Sequence, residues 1–138
     1  MFRIITILTI SVFCSLSAFS QDQIMGLWKT DNEKYIIKIS KLGNSYQGRI
    51  VWLANEKSED GTPQMDVNNP DEKMRRLPLK GNKVIDNLKY ISEDSKWSGT
   101  FYNHETGTYF SCELSHINNN LELSFGSNSK ILLSQTKL

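Results

Sequence analysis

The side chains able to do chemistry are few and loosely spaced. The densest group is Asp60, Asp66, Asn68, Asn69, Asp71 and Glu72, oxygen-bearing residues within one stretch. A calcium loop of the EF-hand type starting at Asp66 would need glycine at position 71 and glutamate at position 77. Those positions hold Asp71 and Leu77, so the group reads as a loop whose side chains cap its own backbone. The two histidines, His104 and His116, do not stand at a zinc-ligand spacing from Cys112. His104 falls beside Glu105 in a hairpin turn and His116 at a strand end, and neither is assigned a metal or general-base role. Cys112 lies on an apolar strand face and reads as a small buried hydrophobe rather than a nucleophile. No serine elbow, phosphate-binding glycine loop or paired-carboxylate pattern occurs. We assign no catalytic residue, metal ligand or cofactor, and expect a protein that is not an enzyme.

Binding chemistry is better represented. The guanidinium groups of Arg49, Arg75 and Arg76 can pack on aromatic rings or hold a ligand carboxylate. Trp28, Trp52, Trp97, Phe101 and Phe110 are core residues in the simplest reading. In a narrow β-barrel the same rings can instead line a space for one small ligand. The candidate ligand-binding set is therefore Trp52, Trp97, Phe101 and Phe110, with Arg75 or Arg76 supplying polarity. In that case tryptophan fluorescence should report an amphiphile. Sixteen basic side chains against fifteen acidic ones give no reason to expect a nucleic-acid partner.

The elements that must position these residues alternate with period two from Gly26 onward. Tyr35, Ile37 and Ile39 alternate with polar or outward positions, and Tyr46, Gly48, Ile50 and Trp52 form one face of the next strand. Trp97, Gly99 and Phe101 follow, then Phe110, Cys112 and Leu114, then Leu121, Leu123 and Phe125. With Gly26–Thr30, a strand within Lys83–Ile91 and a last one over Lys130–Gln135, about eight strands result. Short turn signals between the later strands imply antiparallel hairpins. The expected fold is all-β, a single up-and-down barrel of about eight strands, which leaves no free sheet edge; a flat sandwich is the alternative.

One connection, Ala54 to Gly81, is too long for a hairpin turn, and long connections in small domains tend to carry function. Within it Asn69 can cap, Pro70 suits a first helical position, and Glu72 can reach back to the cap. The pattern predicts one or two helical turns over Pro70 to Arg76, lying across one end of the barrel as a lid. Met74, Leu77 and Leu79 would face inward.

Ahead of the strands, MFRIITILTISVFCSLSAFS has a basic start, an apolar run too short to span a bilayer comfortably, and small residues before Gln21. It reads as a cleaved secretory signal, residues 1–20, leaving a domain over 21–138 with no transmembrane segment. A retained anchor and a lipoprotein acylated at Cys14 are the other readings. Only Cys112 would remain after cleavage, so no internal disulfide is expected.

Several of these pieces together resemble the DUF2147 family of small exported bacterial proteins. They are Gly26-Leu27-Trp28-Lys29-Thr30, Gly48-Arg49-Ile50-Val51-Trp52-Leu53, and the loop motif Asp66-Val67-Asn68-Asn69-Pro70-Asp71. Met74-Arg75, Pro78-Leu79, Gly81 and Trp97-Ser98-Gly99-Thr100-Phe101-Tyr102 follow. The resemblance implies a lipocalin-like barrel, secreted or periplasmic, with no established activity. It identifies Asp66, Asn69, Pro70 and Asp71 as the loop signature. The sequence departs from the pattern at Leu77 and His104, where relatives carry arginine and proline. It also lacks the C-terminal Gly-Arg…Trp-x-Arg ending, so Arg49 or Lys130 is expected to cover Trp28 instead. The barrel pattern together with the long connection points to non-enzymatic binding of a small apolar or amphiphilic molecule. The alternative is a filled barrel acting as a protein–protein interaction module of the cell envelope.

Overall fold

Period-two alternation becomes eight antiparallel strands in the computed structural model, which describes residues 21–138. The expected signal segment lies outside the described residues. The strands are β1 (Gly26–Thr30), β2 (Tyr35–Leu42), β3 (Ser45–Leu53), β4 (Lys83–Ile91), β5 (Lys96–Asn103), β6 (Thr108–Ile117), β7 (Asn120–Phe125) and β8 (Ser129–Gln135). Each pairs with the next, and β8 returns to β1 through Trp28↔Gln135, Lys29↔Ser134 and Thr30↔Leu133. The sheet is thus a closed up-and-down barrel rather than a sandwich. Its hairpins reflect local chemistry. Asn118 and Asn119, both at positive φ (50° and 66°), make the two-residue turn between β6 and β7 whose twist matches the strands.

The inward faces of the strands make one core, and its two ends differ. At one end a 3-10 turn over Asp22–Ile24 enters beneath β1 and buries Ile24 completely. The Trp28 indole N–H donates to the Ile24 carbonyl at 2.8 Å, and the Trp97 indole N–H donates to the Gln21 carbonyl at 3.2 Å. The Tyr46 hydroxyl hydrogen-bonds the Asp22 carboxylate, which that bond holds below its usual pKa. Both indoles are sealed in this way. Neither Arg49 nor Lys130 covers Trp28: Arg49 is exposed and donates to the Gly81 carbonyl, and Lys130 pairs with Glu122. Trp28 is covered instead by the turn ahead of β1.

In β3 the alternation breaks. Ile37 of β2 faces Ile50, but Ile36 faces Trp52, so β3 advances two residues while β2 advances one. The extra residue, Val51, reverses the parity of the rest of the strand. Ile50 and Leu53 both enter the core, and Trp52 lies outside it, half-buried beside Ile36.

The long connection is folded onto itself by single bridges, Lys57↔Pro63 and Met65↔Pro78. Its helical part is one 3-10 turn over Met74–Arg76, shorter than the sequence predicts. The Asn69 side chain accepts the Asp71 N–H and the Asp71 side chain accepts the Lys73 N–H, two successive Asx turns. These consume the capping residues, and helical bonding starts only with Met74 N–H to the Asp71 carbonyl. Leu79 is buried as expected, whereas Leu77 is 49% exposed.

Candidate ligand cavity at the barrel mouth

Opposite the plugged end, the barrel encloses a cavity of about 240 Å³. Its wall is built from inward positions on six of the strands: Ile37, Ile50, Val84, Phe101, Phe125 and Ile131. Phe101 and Phe125 stand 4.6 Å apart between ring centroids, with Phe110 behind Phe125 at 5.2 Å. These separations suit tilted aromatic packing. Around the rim lie Thr30, Asn32, Tyr35, Tyr102, Asn103, His104 and Glu105. The Thr30 hydroxyl donates to the Asn32 side chain at 2.7 Å and accepts the Tyr35 N–H, which ties the β1–β2 corner. An apolar wall with polar groups only at the opening is the usual character of a small-molecule site.

The rim has one mixed aromatic contact. The Tyr35 and His104 rings meet edge to face at 5.1 Å and 78°. Burial lowers the His104 pKa, opposed by the nearby carboxylates of Glu105 and Asp66. Burial also raises the Tyr35 phenol, and Glu105 adds to that rise. On the far side of Tyr35, His104 and Glu105 runs an open, mostly polar groove of about 360 Å³, bordered by Lys34, Asn55, Gln64 and Asn68. The barrel cavity and this groove share those three residues.

The loop signature builds a clasp rather than a binding site. Asp66 and Asn69 are buried. The Asp66 carboxyl accepts from the Tyr102 hydroxyl at 2.8 Å, the Asn69 amide at 2.8 Å and the Asn82 amide at 3.0 Å. Three donors occupy most of its acceptor capacity, consistent with the rule that buried polar groups are paired. Burial first, then the bond to Asp66, pushes the Tyr102 phenol far up. The Arg75 guanidinium donates to the Asn69 carbonyl at 2.6 Å and weakly to that of Pro70. The Asn68 amide donates to the carbonyls of His104 and Glu105, which fastens the loop to the β5–β6 turn.

Of the residues expected to line the cavity, the structure brings Phe101 there and places Phe110 one ring behind. Trp97 belongs to the plugged end and Trp52 to the outer side of the β3 bulge. Arg75 and Arg76 are exposed in the loop and border neither the cavity nor its rim. No residue of 54–81 lines the cavity, so the long connection is not a lid over it. The segments at the mouth are the β1–β2 and β5–β6 turns. Sequence reasoning passed over Tyr35, His104 and Glu105, although a bulky polar turn at a barrel end was the available signal. Cys112 is buried, its thiol pushed up to about 11 by desolvation, as an inert core residue requires. Among the described residues no three His, Cys, Asp or Glu side chains gather as a metal cluster.

The family described as "Uncharacterized protein conserved in bacteria (DUF2147)" matches residues 26–136. The chain belongs to the DUF2147 family. Its stated range begins at β1 and ends just past β8, so the family unit is the barrel itself. A solved structure of a Helicobacter pylori protein, described as belonging to the lipocalin family, superposes on this DUF2147 barrel with a TM-score of 0.67. The identity is 16%, and 82% of each chain is covered. The likeness is one of fold. No curated protein matches the chain. No helix among the described residues is long and apolar enough to cross a membrane.

Proposed function

We propose that this DUF2147 protein is a non-catalytic binding protein of the bacterial envelope that holds a small, partly apolar molecule in the barrel mouth. The observation that carries this reading is the 240 Å³ cavity, walled by aliphatic and phenyl side chains and rimmed by polar ones. Such a wall favours an apolar group through its removal from water and offers it nothing to react with. The cavity is at the small end for ligand sites, which fits a short chain or a single ring. Export rests on the character of Met1–Ser20. Burying six methylene-sized groups is worth about 5 kcal/mol before the cost of association, so bare short chains are expected to bind with dissociation constants of about a millimolar or weaker.

Titration with hexanol tests the reading. Methyl resonances of Ile37, Ile50, Val84 and Ile131 should shift, and Val84→Phe should fill the space and abolish the shifts while the barrel stays folded. The tryptophan emission should barely respond, because Trp28 and Trp97 sit in the plugged end. Methyl shifts that are absent, or that persist unchanged in Val84→Phe, would overturn it.

A second reading, an envelope interaction module, has one observation in its favour. Val67 and Tyr109 are exposed, and Tyr109 packs on the clasped Tyr102, so apolar surface flanks the loop signature. In that case Val84→Phe would leave partner binding untouched.

A further inference from the structure

The ionisable groups around the cavity are unevenly signed. Four such residues border it: Tyr35, Tyr102, His104 and Glu105. Burial raises both phenols and lowers the imidazole, so near neutral pH three of the four are uncharged. Glu105 alone carries charge, and it makes no ion pair among the described residues. Behind Tyr102, outside the cavity lining, the Asp66 carboxyl accepts the Tyr102 hydroxyl. No Lys or Arg borders the cavity; Lys34 reaches only the outer groove on the far side of Glu105. The remaining polar side chains at the rim, Thr30, Asn32 and Asn103, are neutral.

Aromatic faces have the same sign preference. Tyr35, Phe101 and Phe125 line the cavity, and the face of an aromatic ring is electron-rich and attracts cations. A carboxylate entering this mouth would lose its hydration, meet Glu105, and find no cationic partner. An ammonium would meet the opposite circumstances. Glu105 is also held in place: its N–H donates to the Asn103 side chain at 3.1 Å, and its carbonyl accepts from Asn68 at 2.9 Å. The side chain therefore starts from a fixed backbone at the opening.

We propose that the cavity selects organic amines, with a short chain or ring among Ile37, Ile50, Phe101 and Phe125 and the ammonium at the Glu105 carboxylate. This inference rests on the reading of the cavity as an apolar-ligand site, and it narrows the class of ligand. Fatty acids, the usual first guess for a greasy barrel, are the class it excludes.

The test is a matched series at pH 7 and low salt: hexylamine, hexanol and hexanoate, each titrated while the cavity methyl resonances are followed. Hexylamine should bind about fivefold more tightly than hexanol, the size of a partly exposed ion pair, and hexanoate more weakly than either. The amine advantage should shrink as salt is raised. Glu105→Gln should erase it, so that hexylamine and hexanol titrated on the variant bind alike; Glu105 is an exposed turn residue, so the variant is expected to fold. Equal binding of amine and alcohol, or tighter binding of hexanoate, overturns the amine assignment and leaves the apolar site standing. If none of the three moves the methyl resonances, the apolar site itself is wrong and the amine assignment falls with it.

Discussion

At the residue scale the informative position is His104. Its imidazole is wedged between Tyr35 and the barrel opening, and burial lowers its pKa from the ordinary 6.5. In the unfolded chain the same group titrates at its ordinary value. Between the lowered folded pKa and about 6.5, the unfolded state therefore binds more protons, and stability rises with pH. This component of stability is complete above about pH 7.5, is lost as pH falls through about 6.5, and stops changing below the folded pKa. Urea unfolding of the wild-type protein and His104→Gln at pH 7.5 and 5.5 checks this. The variant should lose less stability between the two values, and an equal loss would show that His104 is solvated. The sequence shows His104 and Glu105 as turn residues, and the turn is where they are. What it withholds is the partner across the opening, because Tyr35 is far away along the chain and meets His104 only when the barrel closes. Asp66 is a similar case: its loop was recognisable, but the donors that use it, Tyr102 and Asn82, come from outside that motif.

At the scale of elements, strands were legible where the face is decided locally and illegible where a bulge decides it. The hairpins from β5 to β8 come from alternation and turn residues, whereas β4, with Val84 and Ile85 both buried and its register shifted, was readable only as a strand somewhere in Lys83–Ile91. Trp52 was misplaced because one unpaired residue, Val51, turns it outward, and nothing in the sequence marks that bulge. The long connection shows the other failure, since side chains suited to start a helix were spent on Asx turns. Its attachment can be tested at Gly107. A Cβ there would lie 1.9 Å from the Asn68 carbonyl oxygen, and the residue has φ +68°. Gly107→Ala should cost about 2–3 kcal/mol, combining left-handed backbone strain with displacement of the loop. Amide exchange at Asp66 and Asn69, whose N–H groups donate within the connection, should quicken. Gly61→Ala is the control, with φ +83° but open space around it. It should cost about 1 kcal/mol and leave those amides protected. Matching effects of the two variants would mean that the Asn68 contact does not hold the connection down.

At the scale of the whole molecule, closure results from eight strands that need partners on both sides, and that much was readable. Which half of the tube is filled was not. Filling depends on a plug from Asp22–Ile24, just ahead of the first strand, and on two indoles that reach it. The plugged half should therefore behave as an ordinary close-packed core, and the mouth should not. Leu121 and Ile50 compare the two, both nearly inaccessible to solvent, one on β7 away from the cavity and the other lining it. Leu121→Ala opens a void in a sealed region and should cost about 3–4 kcal/mol. Ile50→Ala enlarges a space that already exists, so fewer packing contacts are lost, and its cost should be about half as large. Urea unfolding of both variants measures the difference, and hexanol at saturating concentration should stabilise Ile50→Ala more than Leu121→Ala, because only the former gains ligand volume. Equal costs, with no difference in the response to hexanol, would mean that the mouth is packed as tightly as the plug, and a barrel packed throughout has no place for a ligand.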